Sequence, residues 1–151
     1  DMLLPEKFDL NYVGEDGQKH RPVMIHRVVY GSIERFIGIL IEHYAGAFPV
    51  WLAPVQVRIL PITTKHVEFA QVFNEKLFEL GVRTYVDDRN EKIGYKIREA
   101  QVQKTPYTLV IGDKEIETNS VAVRKRGEGD LGSQGIDNFI EMLMAEIKEK
   151  K

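Results

Sequence analysis

Basic and amide side chains that follow an apolar strand pattern are the residues of this chain best suited to chemistry. They come after the strand predicted at 82–86 and continue into a predicted helix; the residues are Asn90, Lys92, Lys96 and Arg98. In open α/β sheets, ligands bind at the edge formed by the carboxyl ends of the strands. Amide and guanidinium groups can read the edges of unpaired bases, and lysines can hold phosphates. Taken alone this is a weak signal, because solvated surfaces carry the same residue types.

Two further polar residues, Glu115 and Arg124, flank a hairpin that the sequence predicts about Asn119. Arg124 also opens a run of three cations that ends at Arg126. The whole chain has 21 Lys and Arg against 23 Asp and Glu, a formal net charge of −2. The overall charge therefore does not indicate a polyanion partner, although two local basic segments could still hold a short piece of nucleic acid.

A glycine-rich string at 127–132 matches the pattern G-x-G-x-x-G of dinucleotide-binding folds. That pattern belongs in the first strand-to-helix turn of a βαβ unit, whereas this string lies near the end of the chain. Its two acids, Glu128 and Asp130, would repel a pyrophosphate. We therefore predict a flexible loop, and a small dinucleotide enzyme using this loop is a rival hypothesis.

Other polar residues have less specific surroundings. The four histidines show no metal-ligand spacing, and His26 lies between apolar residues on a predicted strand, where a structural role is the commoner one. Arg35 lies in the first turn of a predicted helix, where a cation is unfavourable with the helix dipole. That placement suggests a task such as holding phosphate, or else an ion pair with Glu34.

The composition sets the class of protein. The chain has 151 residues, of which 43% are hydrophobic, so it is long enough to form a stable core without disulfides or bound metal ions. It contains no cysteine. The absence of cysteine excludes a disulfide framework, a cysteine zinc site and a cysteine nucleophile. No apolar run approaches the roughly 18–20 residues of a membrane span. We expect a cytoplasmic protein that neither enters a membrane nor carries a signal peptide.

The hydrophobic pattern divides the chain at residues 54 and 55. Before this boundary we predict a hairpin from strands at 8–13 and 21–29, a helix over 32–46 and an apolar linker. After it the predicted order is βαβαβββα, a mixed sheet with a parallel centre and helices on both faces. The predicted strands of this second part are 55–60, 82–86, 107–111, 115–118 and 120–124, and the predicted helices are 64–80, 92–103 and the amphipathic segment from Ile136 to Ile147.

Several strings together resemble the C-terminal part of bacterial threonyl-tRNA synthetases. Gly31–Phe36 resembles the third signature motif of class II synthetases. The other strings of the first part are Met24–Arg27 and Phe48–Val57. The strings that resemble the anticodon-binding domain are Asp88–Glu99, Gly112–Glu115 and Val121–Arg124. The resemblance covers nearly the whole chain. It implies that residues 1–54 are the end of a catalytic domain and residues 55–151 an anticodon-binding domain.

The resemblance implies two residues with catalytic-domain roles. Arg35 resembles the catalytic arginine of the third motif, which grips ATP. His26 resembles the last of three protein ligands of a zinc ion that holds the threonine amine and hydroxyl. This implied role as a ligand replaces the structural role that the surroundings of His26 indicate. Zinc, and ATP with magnesium, are therefore the cofactors expected for the full-length enzyme. We expect none of them to remain bound to this chain.

The resemblance also implies a set of anticodon-binding residues. Glu115 resembles the acceptor for a guanine edge in the anticodon, Asn90 and Arg124 resemble its companions in reading the bases, and Lys92 and Arg98 are implied to support that surface. The expected partner is threonine tRNA, with no DNA and no membrane.

The departures from the family pattern limit the expected activity. The first and second class II motifs and the other two zinc ligands, a Cys and a His, are absent. We therefore expect this chain alone to be catalytically incomplete, and mainly monomeric although the full-length enzyme is a homodimer. The fold predicted is an α/β, anticodon-binding-domain-like three-layer fold: a five-stranded mixed sheet, preceded by a β-hairpin and helix. The alternative function is a protein-interaction or accessory module of the same fold.

Overall fold

The structure is a computed structural model that describes residues 1–150. Its backbone contacts divide it into two compact units, one from Asp1 to Ile39 and one from Leu40 onward. The dividing point lies inside a helix. The domain boundary predicted at 54 and 55 stays a prediction.

The first unit contains little regular structure. Its elements are α1 (Leu3–Lys7), β1 (Tyr12–Val13), β2 (Lys19–His20) and the start of α2 (Ile33–His43). The two strands form an antiparallel hairpin, as predicted, but each is only two residues long. The strand predicted at 21–29 is wrong: this segment is irregular, and its Ile25 is 88% exposed. An extended segment without a partner strand leaves its backbone unpaired, and an isolated hairpin is marginal in water.

The second unit is built on a five-stranded sheet with the order β4-β3-β5-β6-β7. The central strand β3 is parallel to β4 and β5, whereas β6 and β7 are antiparallel additions beyond β5. The strands are β3 (Val57–Pro61), β4 (Thr84–Val86), β5 (Tyr107–Ile111), β6 (Ser120–Lys125) and β7 (Gly129–Gly135). The helices are a 3₁₀ turn (Thr64–His66), α3 (Val67–Glu79), α4 (Ile93–Val102), α5 (Asp113–Glu117) and α6 (Ile136–Glu149). The predicted α/β class and five-stranded mixed sheet are confirmed.

One strand prediction and one loop prediction in this unit are wrong. The segment 115–118, predicted as a strand, falls in the short helix α5 and its end, because the Glu115 carboxylate accepts a hydrogen bond from the Gly112 amide and closes the first turn. The fifth strand is instead β7, which contains most of the segment predicted as a flexible loop. It pairs with β6 along its length, with an irregularity between Val123 and Arg124. The glycine-rich string is thus a turn and an antiparallel strand, without the strand-to-helix geometry of a dinucleotide site.

Helices cover both faces of the sheet. Alternate side chains of β3, β5 and β6 point to the face that carries α3 and α6, because successive residues of a strand face opposite sides. The core on this face comprises Val57, Ile59, Tyr107, Leu109, Ile111, Val121 and Val123 from the strands and Ala70, Phe73, Leu77, Ile136, Phe139 and Leu143 from the helices. Helix α4 covers the other face, where it buries Ala100 and the stem of Lys96 against β3. This layering brings the carboxyl ends of the three parallel strands to one edge of the sheet.

Candidate nucleic-acid interface

Asn90 and Glu115 lie at the edge where the parallel strands end. Asn90 follows β4 and lines a small cleft there with Ile62 and Thr63, which follow β3. Glu115 follows β5, and a methyl group placed on Gly112 would lie 2.8 Å from Cδ1 of Ile62. The segments after all three strands therefore meet around Ile62. The structure brings Asn90 and Glu115 to the same edge, whereas the sequence placed only Asn90 there and Glu115 beside a predicted hairpin.

The carboxylate of Glu115 is positioned by its own helix. Its Oε2 atom accepts a hydrogen bond from the Gly112 amide at 3.0 Å, and the side chain is only partly exposed. An ionised carboxylate has about four acceptor positions, so this bond leaves acceptors free. Glu115 can therefore accept hydrogen bonds from two adjacent N–H donors on the edge of a base, while the Gly112 amide fixes the position of its carboxylate.

A buried ion network braces the loop that carries Asn90. Asp87, at the end of β4, is fully buried and accepts hydrogen bonds from Nη2 of Arg58 at 3.1 Å and from Nε and Nη2 of Arg89 at 2.8 and 2.6 Å. The hydrogen bonds from Arg89 hold the pKa of Asp87 below its usual value, and the charges of Arg58 and Lys96 act in the same direction. Nζ of Lys96 also donates to the carbonyl oxygens of Pro61 and Asp87, which joins the ends of β3 and β4.

A buried histidine joins the ends of β3 and β5 in a similar way. His66 is 3% exposed; its Nδ1 accepts a hydrogen bond from the Thr63 amide at 3.3 Å. Its Nε2 therefore carries the proton and donates to Asp113 Oδ1 at 3.0 Å. Sequence reasoning missed both this contact and the Asp87 network. A charged residue inside an apolar strand, Arg58, is the one sequence signal that could have indicated the network.

Lys92 and Arg98 extend this surface along α4. Lys92 precedes the first turn of the helix and Arg98 lies in its middle, and both side chains are exposed. Within residues 1–150 neither side chain forms an ion pair or hydrogen bond. Uncompensated, exposed cations of this kind are suited to phosphate contacts.

Arg124 lies apart from the edge formed by Asn90 and Glu115. In β6 it is opposite Thr108 of β5, toward the amino ends of the parallel strands. Its Nη1 atom donates to Asp130 of β7 at 2.8 Å. Beyond β6, Arg126 donates to the carbonyl oxygens of Ala47 and Phe48, which attaches the linker segment to this end of the sheet.

The two residues to which the resemblance assigns catalytic-domain roles lie in the first unit. His26 is exposed, and its Nε2 is 2.8 Å from Asp1 Oδ2. Among residues 1–150 there is no group of three or more His, Cys, Asp or Glu side chains that could hold a metal ion. The residues present therefore do not fit a zinc site, and any such site needs ligands from outside this chain. Arg35 is exposed near the start of α2, where Glu34 accepts a hydrogen bond from the Ser32 hydroxyl at 2.5 Å.

The fold, with Asn90 and Glu115 at one edge of its sheet, indicates the class of protein. Residues 56–146 match the family model described as anticodon binding domain, which is more than half of the chain. The chain belongs to this family of anticodon-binding domains. Over its whole length it is similar to threonine–tRNA ligases, so the resemblance predicted from the sequence strings is confirmed.

Two bacterial ligases illustrate the similarity. The chain is 70% identical over 151 residues to threonine–tRNA ligase of Carboxydothermus hydrogenoformans, covering 100% of this chain and 24% of that protein. It is 65% identical over 150 residues to threonine–tRNA ligase of Clostridium acetobutylicum, covering 99% of this chain and 24% of that protein. The chain thus spans about a quarter of the length of these relatives.

Solved structures support the fold. The RNA binding domain of threonyl-tRNA synthetase from Cryptosporidium parvum Iowa II superposes with a TM-score of 0.72 at 34% identity, covering 96% of this chain and 37% of that chain. Prolyl-tRNA synthetase from Cryptosporidium parvum superposes with a TM-score of 0.64 at 22% identity, covering 98% of this chain and 33% of that chain. The second similarity concerns the fold alone. Among the described residues no helix is long and apolar enough to cross a membrane.

Proposed function

We propose that this chain recognises the anticodon of threonine tRNA as part of a threonine–tRNA ligase, which attaches threonine to its tRNA at the expense of ATP. The observation that carries the proposal is the 70% identity to such a ligase along the whole chain, together with the anticodon-binding family match at 56–146. The convergence of Asn90 and Glu115 on one edge supports it.

The recognition mechanism follows from the groups at that edge. Glu115, held through Gly112, accepts the N–H donors of a guanine Watson–Crick edge, and the Asn90 amide offers a donor and an acceptor to the same or a neighbouring base. Lys92 and Arg98 hold phosphates of the loop. Arg124, at the far end of β6, contacts a different nucleotide from Glu115.

The remaining roles belong to the complete ligase. Arg35 contacts ATP there, and His26 is one of the zinc ligands only when the other ligands come from the rest of the enzyme. No step of the recognition mechanism depends on zinc or ATP. We further propose that the complete ligase is a cytoplasmic homodimer, whereas this chain alone is mainly monomeric and does not activate threonine.

A matched pair of variants on α5 tests the role of Glu115. Glu115→Ala should weaken binding of an RNA hairpin carrying the threonine anticodon by roughly 5- to 150-fold, the equivalent of about 1–3 kcal/mol for a lost bidentate base contact. Glu117→Ala removes an exposed carboxylate two residues further along the same helix and should leave the affinity unchanged. Equal losses in both variants would mean that damage to α5, not the loss of the Glu115 base contact, weakens binding, because removing a negative charge by itself favours RNA binding. No loss in either would remove Glu115 from the interface.

A further inference from the structure

The helix that carries Glu115 is too short to fix its own position. α5 has five residues, and none of these described residues is fully buried. Its one apolar side chain, Ile116, is partly buried against the core. Isolated helices shorter than roughly 12–15 residues are marginal in water, because nucleating the first turn is unfavourable. The orientation of α5, and of the Glu115 carboxylate with it, therefore depends on contacts from other parts of the fold.

One side chain from the 3₁₀ turn after β3 reaches the first residue of α5. Nε2 of His66 donates a hydrogen bond to Oδ1 of Asp113 at 3.0 Å. Among residues 1–150 this is the only side-chain hydrogen bond that α5 receives from another element. The neighbouring backbone bond, from the Ile62 amide to the carbonyl oxygen of Ile111 at 3.0 Å, stops at the end of β5. The bond from His66 is thus the contact that ties α5 itself to the end of β3.

The imidazole ring of His66 is fixed on its other side as well. The ring is buried, and its Nδ1 accepts a hydrogen bond from the Thr63 amide at 3.3 Å. Both ring nitrogens therefore have protein partners, and the ring cannot turn without breaking one of these bonds. His66 also directly precedes α3, whose Ala70 and Phe73 belong to the core. Asp113 is therefore bound to a rigid part of the fold.

Asp113 does not need His66 for its own solvation. The Asp113 side chain is 88% exposed, so water can hydrate this carboxylate without the histidine. The space that the carboxylate leaves when it is removed is open to solvent, so water can take its place on Nε2 of His66. Exposed polar pairs of this kind contribute little to stability. The bond therefore affects the position of α5 more than the stability of the fold.

The carboxylate of Glu115 moves with the first turn of α5. Asp113 and Glu115 lie two residues apart, about 3 Å along the helix axis. Oε2 of Glu115 already accepts a hydrogen bond from the Gly112 amide, so the orientation of that turn sets the direction of the free acceptors. A hydrogen bond weakens steeply as its angle falls toward about 120°, so a small rotation of the turn weakens a paired contact with a base.

We propose that His66 is a positioning residue for guanine recognition: through Asp113 it fixes the first turn of α5 and thereby aims the Glu115 carboxylate at the base. The proposal rests on the proposed anticodon-binding function and adds to it the residue that determines how sharply guanine is distinguished. His66 itself does not contact the RNA. The phosphate contacts of Lys92 and Arg98 on α4 do not depend on it.

The test compares two RNA hairpins, one with the threonine anticodon and one in which the middle guanine is replaced by adenine. The ratio of the two affinities is measured for each variant, because a general change in charge affects both hairpins alike. Asp113→Ala should lower this ratio about 3- to 10-fold, the effect of one lost hydrogen bond, without lowering the affinity for the adenine hairpin. Glu117→Ala removes another exposed carboxylate of α5 and should leave the ratio unchanged.

Two substitutions of His66 separate its bond to Asp113 from its bond to Thr63. The amide of glutamine reaches the place of Nε2 and can donate to Asp113, whereas the shorter asparagine amide reaches only the place of Nδ1. His66→Gln should therefore keep the ratio of the wild type, and His66→Asn should lower it as Asp113→Ala does. Thermal unfolding of both variants is the check, because a merely structural role predicts that the ratio follows the unfolding temperature.

A Glu115→Ala background tests whether His66 acts through Glu115. In this background Asp113→Ala and His66→Asn should cause no further loss of the ratio, because the carboxylate that they position is absent. A loss of the same size in the presence and absence of Glu115 would contradict the positioning role.

The remaining results also have distinct meanings. If Asp113→Ala and His66→Asn keep the preference of the wild type for the guanine hairpin, the positioning role is wrong and the anticodon-binding function stands. Equal losses of the ratio in His66→Gln and His66→Asn would contradict the positioning role in the same way. If the wild type itself shows no preference for the guanine hairpin, the anticodon-binding function fails for this chain, and the positioning role fails with it.

Discussion

Replacing Asp87 with asparagine removes the only fully buried carboxylate among residues 1–150 from the network behind the Asn90 loop. Arg58 and Lys96, which are 3% and 2% exposed, cannot reach water to replace its charge. Removing one partner of a buried ion pair costs about 3–5 kcal/mol, because the other charge remains buried. Glu99 lies 3.9 Å from Arg58 and compensates in part, so we expect the lower end of this range.

Urea or thermal unfolding measures this loss. A destabilisation of about 3 kcal/mol corresponds to a decrease of roughly 6–12 °C in unfolding temperature for a chain of this size. Asp88→Asn is the matched control, since Asp88 is exposed and forms no ion pair within the described residues. A loss below about 1 kcal/mol for Asp87→Asn, or an equal loss for Asp88→Asn, would refute the reasoning.

The same network predicts a pH dependence. The pKa of Asp87 is lowered in the folded chain, chiefly by hydrogen bonds from Arg89. A carboxyl group with a lowered folded pKa stabilises the fold above its unfolded pKa, about 3.9, and this stabilisation is lost as the pH falls through the folded pKa. The stability difference between the wild type and Asp87→Asn should therefore be constant at neutral pH and shrink below about pH 4. A difference that grows in acid would contradict the assigned direction.

Two further substitutions test the site and the core. Gly112→Ala places a methyl group 2.8 Å from Cδ1 of Ile62 and 3.2 Å from Oε2 of Glu115. Because the exposed end of Ile62 can move, the free energy of unfolding should change by about 1 kcal/mol or less. The affinity for the RNA hairpin with the threonine anticodon should fall several-fold in a titration. Unchanged affinity would show that the position of Glu115 is not critical. Tyr107→Phe removes the hydrogen bond of 2.5 Å to Glu146 and should cost about 1–2 kcal/mol in urea unfolding. Burial raises the pKa of Tyr107, so the phenol stays protonated between neutral pH and pH 9. The loss of unfolding free energy in Tyr107→Phe should therefore be the same at both pH values. A loss that disappears at pH 9 would contradict the raised pKa.

The parallel centre of the sheet was predictable because its strands are short apolar runs, and the segments between them have apolar residues at clear helical spacing. The face of α3 that carries Ala70, Phe73 and Leu77 is buried as its spacing predicts. The antiparallel part was harder. β7 contains three glycines and a single large apolar side chain, Leu131, so nothing in its pattern distinguishes it from a loop until β6 pairs with it.

The site was predictable only in part. Asn90 and Glu115 follow parallel strands, and the general rule for such sheets brings them to one edge. The position of Arg124 depends on the register between β5 and β6, which alternation alone does not reveal, and the segment predicted to pair with β6 is in fact the helix α5. The supporting contacts of Asp87 and His66 join residues far apart in the chain, so they appear only when the fold is known.

Binding of two RNA hairpins to this chain at moderate salt tests the central claim most directly. One hairpin carries the threonine anticodon, and the other differs only in the middle guanine of that anticodon. We predict clearly tighter binding of the first, because Glu115 accepts hydrogen bonds from guanine that another base does not offer in the same arrangement. Equal binding of the two hairpins, or none, would contradict anticodon reading by this chain and would favour an accessory, protein-binding role for the same fold.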